Sequence, residues 1–115
     1  MANTFKVITK ANVTSADVIY TVAGSTTTVI LGLVLGNTTT SQVTTTVSLA
    51  SDTGSRAGAN NEANQTVEIL TATAIPANDT LAVLSGSKLV MEATDSLTVT
   101  GSAAVDVTIS VMEIT

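Results

Sequence analysis

The chain has 115 residues and a formal net charge of −5, with no Cys, His or Trp, one Phe and one Tyr. Its length fits a single domain over 1–115, and the missing Cys and His exclude disulfides, thiolate metal sites, cysteine nucleophiles and the usual general base. The only basic residues are Lys6, Lys10, Arg56 and Lys88, too few to neutralise phosphates, so neither nucleic acid nor an anionic membrane surface is an expected partner.

The N-terminal stretch MANTFKVITKAN lacks a continuous apolar run of about 7–15 residues, so a secretory signal is not expected. It predicts a strand over 5–10, led by flexible residues that order on binding. A second strand is expected at 17–22, where Tyr20 sits in an apolar alternation that points to the core. The segment STTTVILGLVLGNTTTSQ, at 25–42, is far shorter than the about 20 apolar residues of a membrane-spanning helix. Its β-branched Val29, Ile30 and Val34 and its Gly32 and Gly36 disfavour a helix. It predicts a central strand at 28–35, buried on both faces, with Gly32 marking a bulge or a close backbone approach.

Period-two alternation recurs further on. At 42–49, Val43, Val47 and Leu49 share one face and Thr44, Thr46 and Ser48 the other. Strands follow at 66–74, 80–84, 88–92, 96–100 and 105–115. In the last, Val105, Val107, Ile109 and Val111 alternate with polar residues, and then Met112 and Ile114 fall on the opposite parity. A bulge, or a neighbouring subunit against that face, would explain the slip. Turn-forming segments separate these strands, and no helix longer than about a turn is expected. The sum predicts an all-β chain, a single-domain antiparallel β-sandwich or barrel of about eight to nine short strands, with a β-meander in its C-terminal half. Thr makes up about a fifth of the chain and is expected to coat exposed strand faces.

One segment differs in kind. Residues 51–65, SDTGSRAGANNEANQ, are expected to form a long polar loop, a length that is usually functional or disordered, so the segment reads either as a contact loop for a partner or neighbouring subunit or as a mobile hairpin tip. Asp52, Arg56, Asn60, Asn61 and Glu62 within it, together with Phe5 near the N-terminus, are the candidate partner contacts. Candidates for chemistry are thin. SGSK at 85–88 brings Ser and Lys together but reads as a hairpin turn. The carboxylates are scattered, and few aromatics exist to shape a sugar site. Asp52, Asp79 or Asp95 with loop carbonyls could ligate calcium, yet no EF-hand spacing is present. N-x-[ST] triplets at Asn12, Asn37, Asn64 and Asn78 are read as incidental. No cofactor, metal or catalytic residue is expected, and the chain is not expected to be an enzyme.

The C-terminal half carries IPA at 75–77, L-x-V at 81–83, Gly86, KLV-x-E at 88–92, Asp95, L-x-V at 97–99 and VDV-x-x-SV-x-EI at 105–114. With VIYTVAGSTTTVILGLVLGN at 18–37, this pattern resembles small β-sandwich virion structural proteins of tailed phages, notably of cyanophages and other marine phages. The resemblance implies a non-enzymatic virion protein on the capsid surface, a decoration or cement protein. Its partners would be the major capsid protein or other virion proteins and copies of itself, with a trimer favoured. A neck, tail or fibre-associated protein, and a non-viral binding module such as a carbohydrate-binding sandwich or pilus-like subunit, are the alternatives. Most strand edges are expected to be covered by loops or subunits.

Overall fold

The computed structural model describes residues 2–51 and 65–115. Nine strands run along them: β1 (Asn3–Val13), β2 (Ala16–Thr21), β3 (Thr27–Asn37), β4 (Val43–Ala50), β5 (Thr66–Ile75), β6 (Thr80–Leu84), β7 (Leu89–Met91), β8 (Ser96–Gly101) and β9 (Val105–Ile114). Every paired strand is antiparallel. One sheet has the order β1-β9-β3-β6, with β7 also on β3, and the other has the order β2-β8-β4-β5. The chain is thus an all-β antiparallel sandwich, as its alternation predicts.

The connections are not those of a meander. β6 pairs with β3 at Leu33–Gly36 and β7 pairs with β3 at Thr28–Ile30. The two are one edge strand interrupted by a jog at Gly86, which takes φ +85°. The SGSK segment is therefore a step along one edge and not a hairpin turn. Counted as one strand, β6–β7 makes the sheet orders 1-8-3-6 and 2-7-4-5, the double Greek key of a jelly roll. Apart from β4 and β5, which pair within the second sheet, consecutive strands of this count lie in opposite layers, and each layer buries the apolar face of the other.

The core lies between the sheets. Ile30, Leu33, Leu35, Met91, Val107, Ile109 and Val111 face inward from the first sheet, and Val43, Val47, Leu97 and Val99 from the second. β3 is central in hydrogen bonding, but it is not buried on both faces. Its inward residues are sealed, whereas Val34 on the outer side is 36% exposed, because among the described residues no second layer covers this sheet from outside. The expected irregularity is present: the pairing of β3 with β9 shifts between Ile30 and Gly32, which makes Leu31 the extra residue of a bulge.

The N-terminal residues expected to be flexible are ordered: Asn3, Thr4 and Phe5 pair with Ile114, Glu113 and Met112. β9 also pairs without a shift through Met112 and Ile114, so no bulge explains the change of apolar parity there.

At the end of the sandwich where β3 meets β4 and β5 meets β6, buried Asn37 ties two connections together. Its Nδ2 donates to the carbonyls of Ser41 (2.8 Å), Ile75 (3.0 Å) and Pro76 (3.0 Å), and its Oδ1 accepts from Thr39 N (2.9 Å) and Thr39 Oγ1 (2.8 Å). That use of the amide nitrogen leaves Asn37 no role as a glycan acceptor. The opposite end holds the main-chain pair Ala2–Thr115, the β2–β3 and β7–β8 turns, and the stems of the 51–65 loop, where Ser51 N donates to Gln65 O at 2.7 Å.

Candidate interaction surface

The two outer faces differ. On the second sheet, Thr44, Thr46, Ser48, Ser96, Thr98 and Thr100 point outward, the hydroxyl coat that the Thr-rich alternation predicts. On the first sheet the outward residues are apolar in one band. Phe5 on β1 lies opposite Met112 on β9, Met112 opposite Val29 on β3, and Val29 opposite Val90 on β7. These four side chains form a straight ladder across four strands. Phe5 is 71% and Val90 59% exposed. Val7, also exposed, lies in the next outward row, opposite Ser110. Among the described residues, the only charged strand position on this face is Asp106, at the far end, where its Oδ1 accepts from Asn12 N at 3.0 Å.

The register with β9 sets which way FKVITK faces. Lys6, Ile8 and Lys10 lie opposite inward-facing Val111, Ile109 and Val107, so they take the inner side and Phe5 and Val7 the outer. Charge partners at the sandwich margin make this affordable: Lys6 Nζ sits 2.8 Å from Glu113 Oε1 and Lys10 Nζ 3.7 Å from Asp17 Oδ2. The signal in the sequence was the parity change at Met112 and Ile114, which marks the same face from the other strand.

Glu113 also joins the two sheets. The Tyr20 hydroxyl from β2 donates to Glu113 and shares a 2.7 Å hydrogen bond with Thr28 Oγ1. The bond from Lys6, and next that from Tyr20, hold the Glu113 carboxyl below the usual carboxylate range. Its contribution to stability is therefore complete above the ordinary Glu pKa and is lost as pH falls through the depressed folded value. Burial, and next the bond to Glu113, push the Tyr20 hydroxyl from 10.0 up to about 12. The unfolded chain then releases this proton before the folded one, so stability falls as pH rises from about 10 to about 12. Tyr20→Phe should remove that alkaline loss, read as urea midpoints that decline less steeply than those of the wild type over that range. An unchanged slope would show that Tyr20 is not its source.

The sequence-predicted contact residues separate into two groups. Phe5 stands on the outer apolar band. Asp52, Arg56, Asn60, Asn61 and Glu62 lie outside the described residues, though the described stems of their loop leave from the same end of the sandwich as Phe5. Asp79 and Asp95 are not brought together: Asp79 O accepts from Asn37 N and Asp95 O from Val22 N, at opposite ends of β3. Among the described residues, no group of three or more Asp or Glu is placed to hold a metal ion. Sequence reasoning missed the ladder partners Val29 and Val90, because which strands flank β9 depends on the crossover topology.

No protein-family model matches the chain, and no curated protein matches it. Among solved structures it is similar to a protein of Bacillus endospore appendages, described as a novel family of disulfide-linked pili; identity is 15%, the match covers 99% of this chain and 87% of that one, and the TM-score is 0.49. The fold assignment rests on the strand order and register given above.

Proposed function

We propose that this chain is a non-enzymatic structural protein of a phage virion, a capsid decoration protein that grips the shell through protein–protein contacts. The observation that carries the reading is the Phe5–Met112–Val29–Val90 ladder on a sheet face with almost no charge. An apolar band of this kind marks a contact surface, and covering Phe5 alone would contribute about 1.5–3 kcal/mol. Support also comes from the sequence resemblance and from the absence of His and Cys. A jelly roll recurs in capsid proteins and in lectins alike, so the fold by itself does not select the role.

Quantitative mass spectrometry of purified particles from the source tests this. Copies in a simple ratio to the major capsid protein are expected. A few to a few tens per particle would move the protein to the neck or tail, and absence would end the virion reading. Phe5→Thr combined with Val90→Thr should abolish attachment to particles while changing stability by less than about 1 kcal/mol, because both side chains are exposed. Attachment at wild-type strength would place the contact elsewhere.

A further inference from the structure

Four edges bound the two sheets: β1 and β6–β7 in the first, β2 and β5 in the second. Three carry features that obstruct the addition of another strand. β2 has 6 residues and shifts register between Val18 and Tyr20. β5 is interrupted by two register shifts in its pairing with β4, and Ala72 within it takes φ 41°. The β6–β7 edge is split by the jog at Gly86. β1 pairs with β9 in unbroken register over residues 3–10, and what guards it is only the pair of inward lysines, Lys6 and Lys10.

The free main-chain groups of β1 can be assigned. Ala2 and Thr115 exchange both hydrogen bonds, Ala2 N to Thr115 O at 3.2 Å and Thr115 N to Ala2 O at 3.0 Å. Bonded pairs alternate along an antiparallel ladder. Thr4, Lys6, Ile8 and Lys10 therefore turn their N–H and C=O groups toward β9, and Asn3, Phe5, Val7 and Thr9 turn theirs away from the sheet, toward the side on which no described strand pairs with β1.

We infer that β1 is a strand-addition edge and that its occupant is β1 of a second copy, antiparallel about a two-fold axis at Val7. Charge selects both partner and register. With Val7 opposite the partner's Val7, Lys6 faces the partner's Ile8 and Lys10 the partner's Thr4. A slip to the next bonded register in either direction sets Lys6 against the partner's Lys6 or Lys10, which like-charge repulsion disfavours. Lys6 and Lys10 already have Glu113 and Asp17, so an acidic incoming strand gains little over a neutral one. The other three edges are obstructed, so head-to-tail growth has no second edge to use, and the contact closes as a two-fold dimer. This replaces the trimer that the sequence resemblance implies, and it stands or falls independently of whether the protein is found in particles.

The test is analytical ultracentrifugation of the full chain, with residue-resolved amide exchange at high and low concentration. A dimer is expected in which the Phe5, Val7 and Thr9 amides exchange slowly and become fast on dilution, while those of Lys6 and Ile8 stay slow throughout. Val7→Pro removes one outward N–H from each copy, at an edge position where proline is accommodated. It should weaken the dimer roughly thirtyfold or more and leave Lys6 and Ile8 protected. Should that variant lose the protection of Lys6 and Ile8, Val7→Lys keeps the backbone and sets two like charges at the axis, with the same expected loss of dimer. A monomer at all concentrations, a trimer, an oligomer whose Phe5, Val7 and Thr9 amides stay fast, or slowing of these amides only when another virion protein is added would each overturn the inference.

Discussion

Gly101→Ala is expected to destabilise the fold by about 3 kcal/mol, read as a shift of the urea unfolding midpoint. Gly101 ends β8, buried, in register with Thr45 of β4. A Cβ there would lie 2.6 Å from Val13 O, 2.7 Å from Ala103 O and 3.2 Å from Val105 Cγ2. Two of these atoms are backbone carbonyl oxygens, so no side-chain rotation relieves the clash. Val13 is a core residue, and Ala103 lies in the short connection to β9, so either the end of β1 or the start of β9 must move. Gly24→Ala is the control: its Cβ would meet nothing within 4 Å, and a change within about 0.5 kcal/mol is expected. Equal effects at both positions would show that the β8–β9 connection yields freely.

Asn37→Ala should cost about 3 kcal/mol by the same measurement. The side chain is 3% exposed, and its truncation removes the partners of three carbonyls and of two Thr39 groups at once. Water can reach part of this site, which keeps the loss below the sum of separate deletions. Asn37→Asp separates shape from hydrogen bonding. It preserves volume and the acceptor for Thr39, but it sets an anionic oxygen against the carbonyls of Ser41, Ile75 and Pro76. It should therefore be at least as costly as alanine. A well-tolerated aspartate would mean that the β3–β4 and β5–β6 connections hold their shape without this amide.

Strand positions were legible because the chain is written in period two with turn residues between strands. The observed β6 and β8 lie within a residue of the segments read from alternation at 80–84 and 96–100. What alternation cannot carry is the order in which strands meet. Leu89–Met91 reads as a strand after a Gly turn, and nothing local says that it continues along β3 instead of folding back on β6. Facing is equally non-local at an edge. Val7 looks like a core residue until β9 is alongside, and the inward placement of Lys6, still half exposed, shows only once Val111 and Glu113 are beside it. The interaction band was half legible for the same reason: Met112 and Ile114 broke parity in view, whereas Val29 and Val90 belong to the band only through the crossover.

The pairing of Asn3 with Ile114 also governs how the fold is reached. The first strand has no partner until the last has been made, so closure spans nearly the whole chain. Folding dominated by such remote pairings runs in roughly milliseconds to seconds. During synthesis β1 must wait with Phe5 and Val7 bare and both of its main-chain edges open, the condition under which nascent chains stick to one another. Lys6 and Lys10, four residues apart on one face of that strand, repel a second nascent copy in the registers that set them opposite one another during this interval, before Glu113 is available to neutralise the first of them.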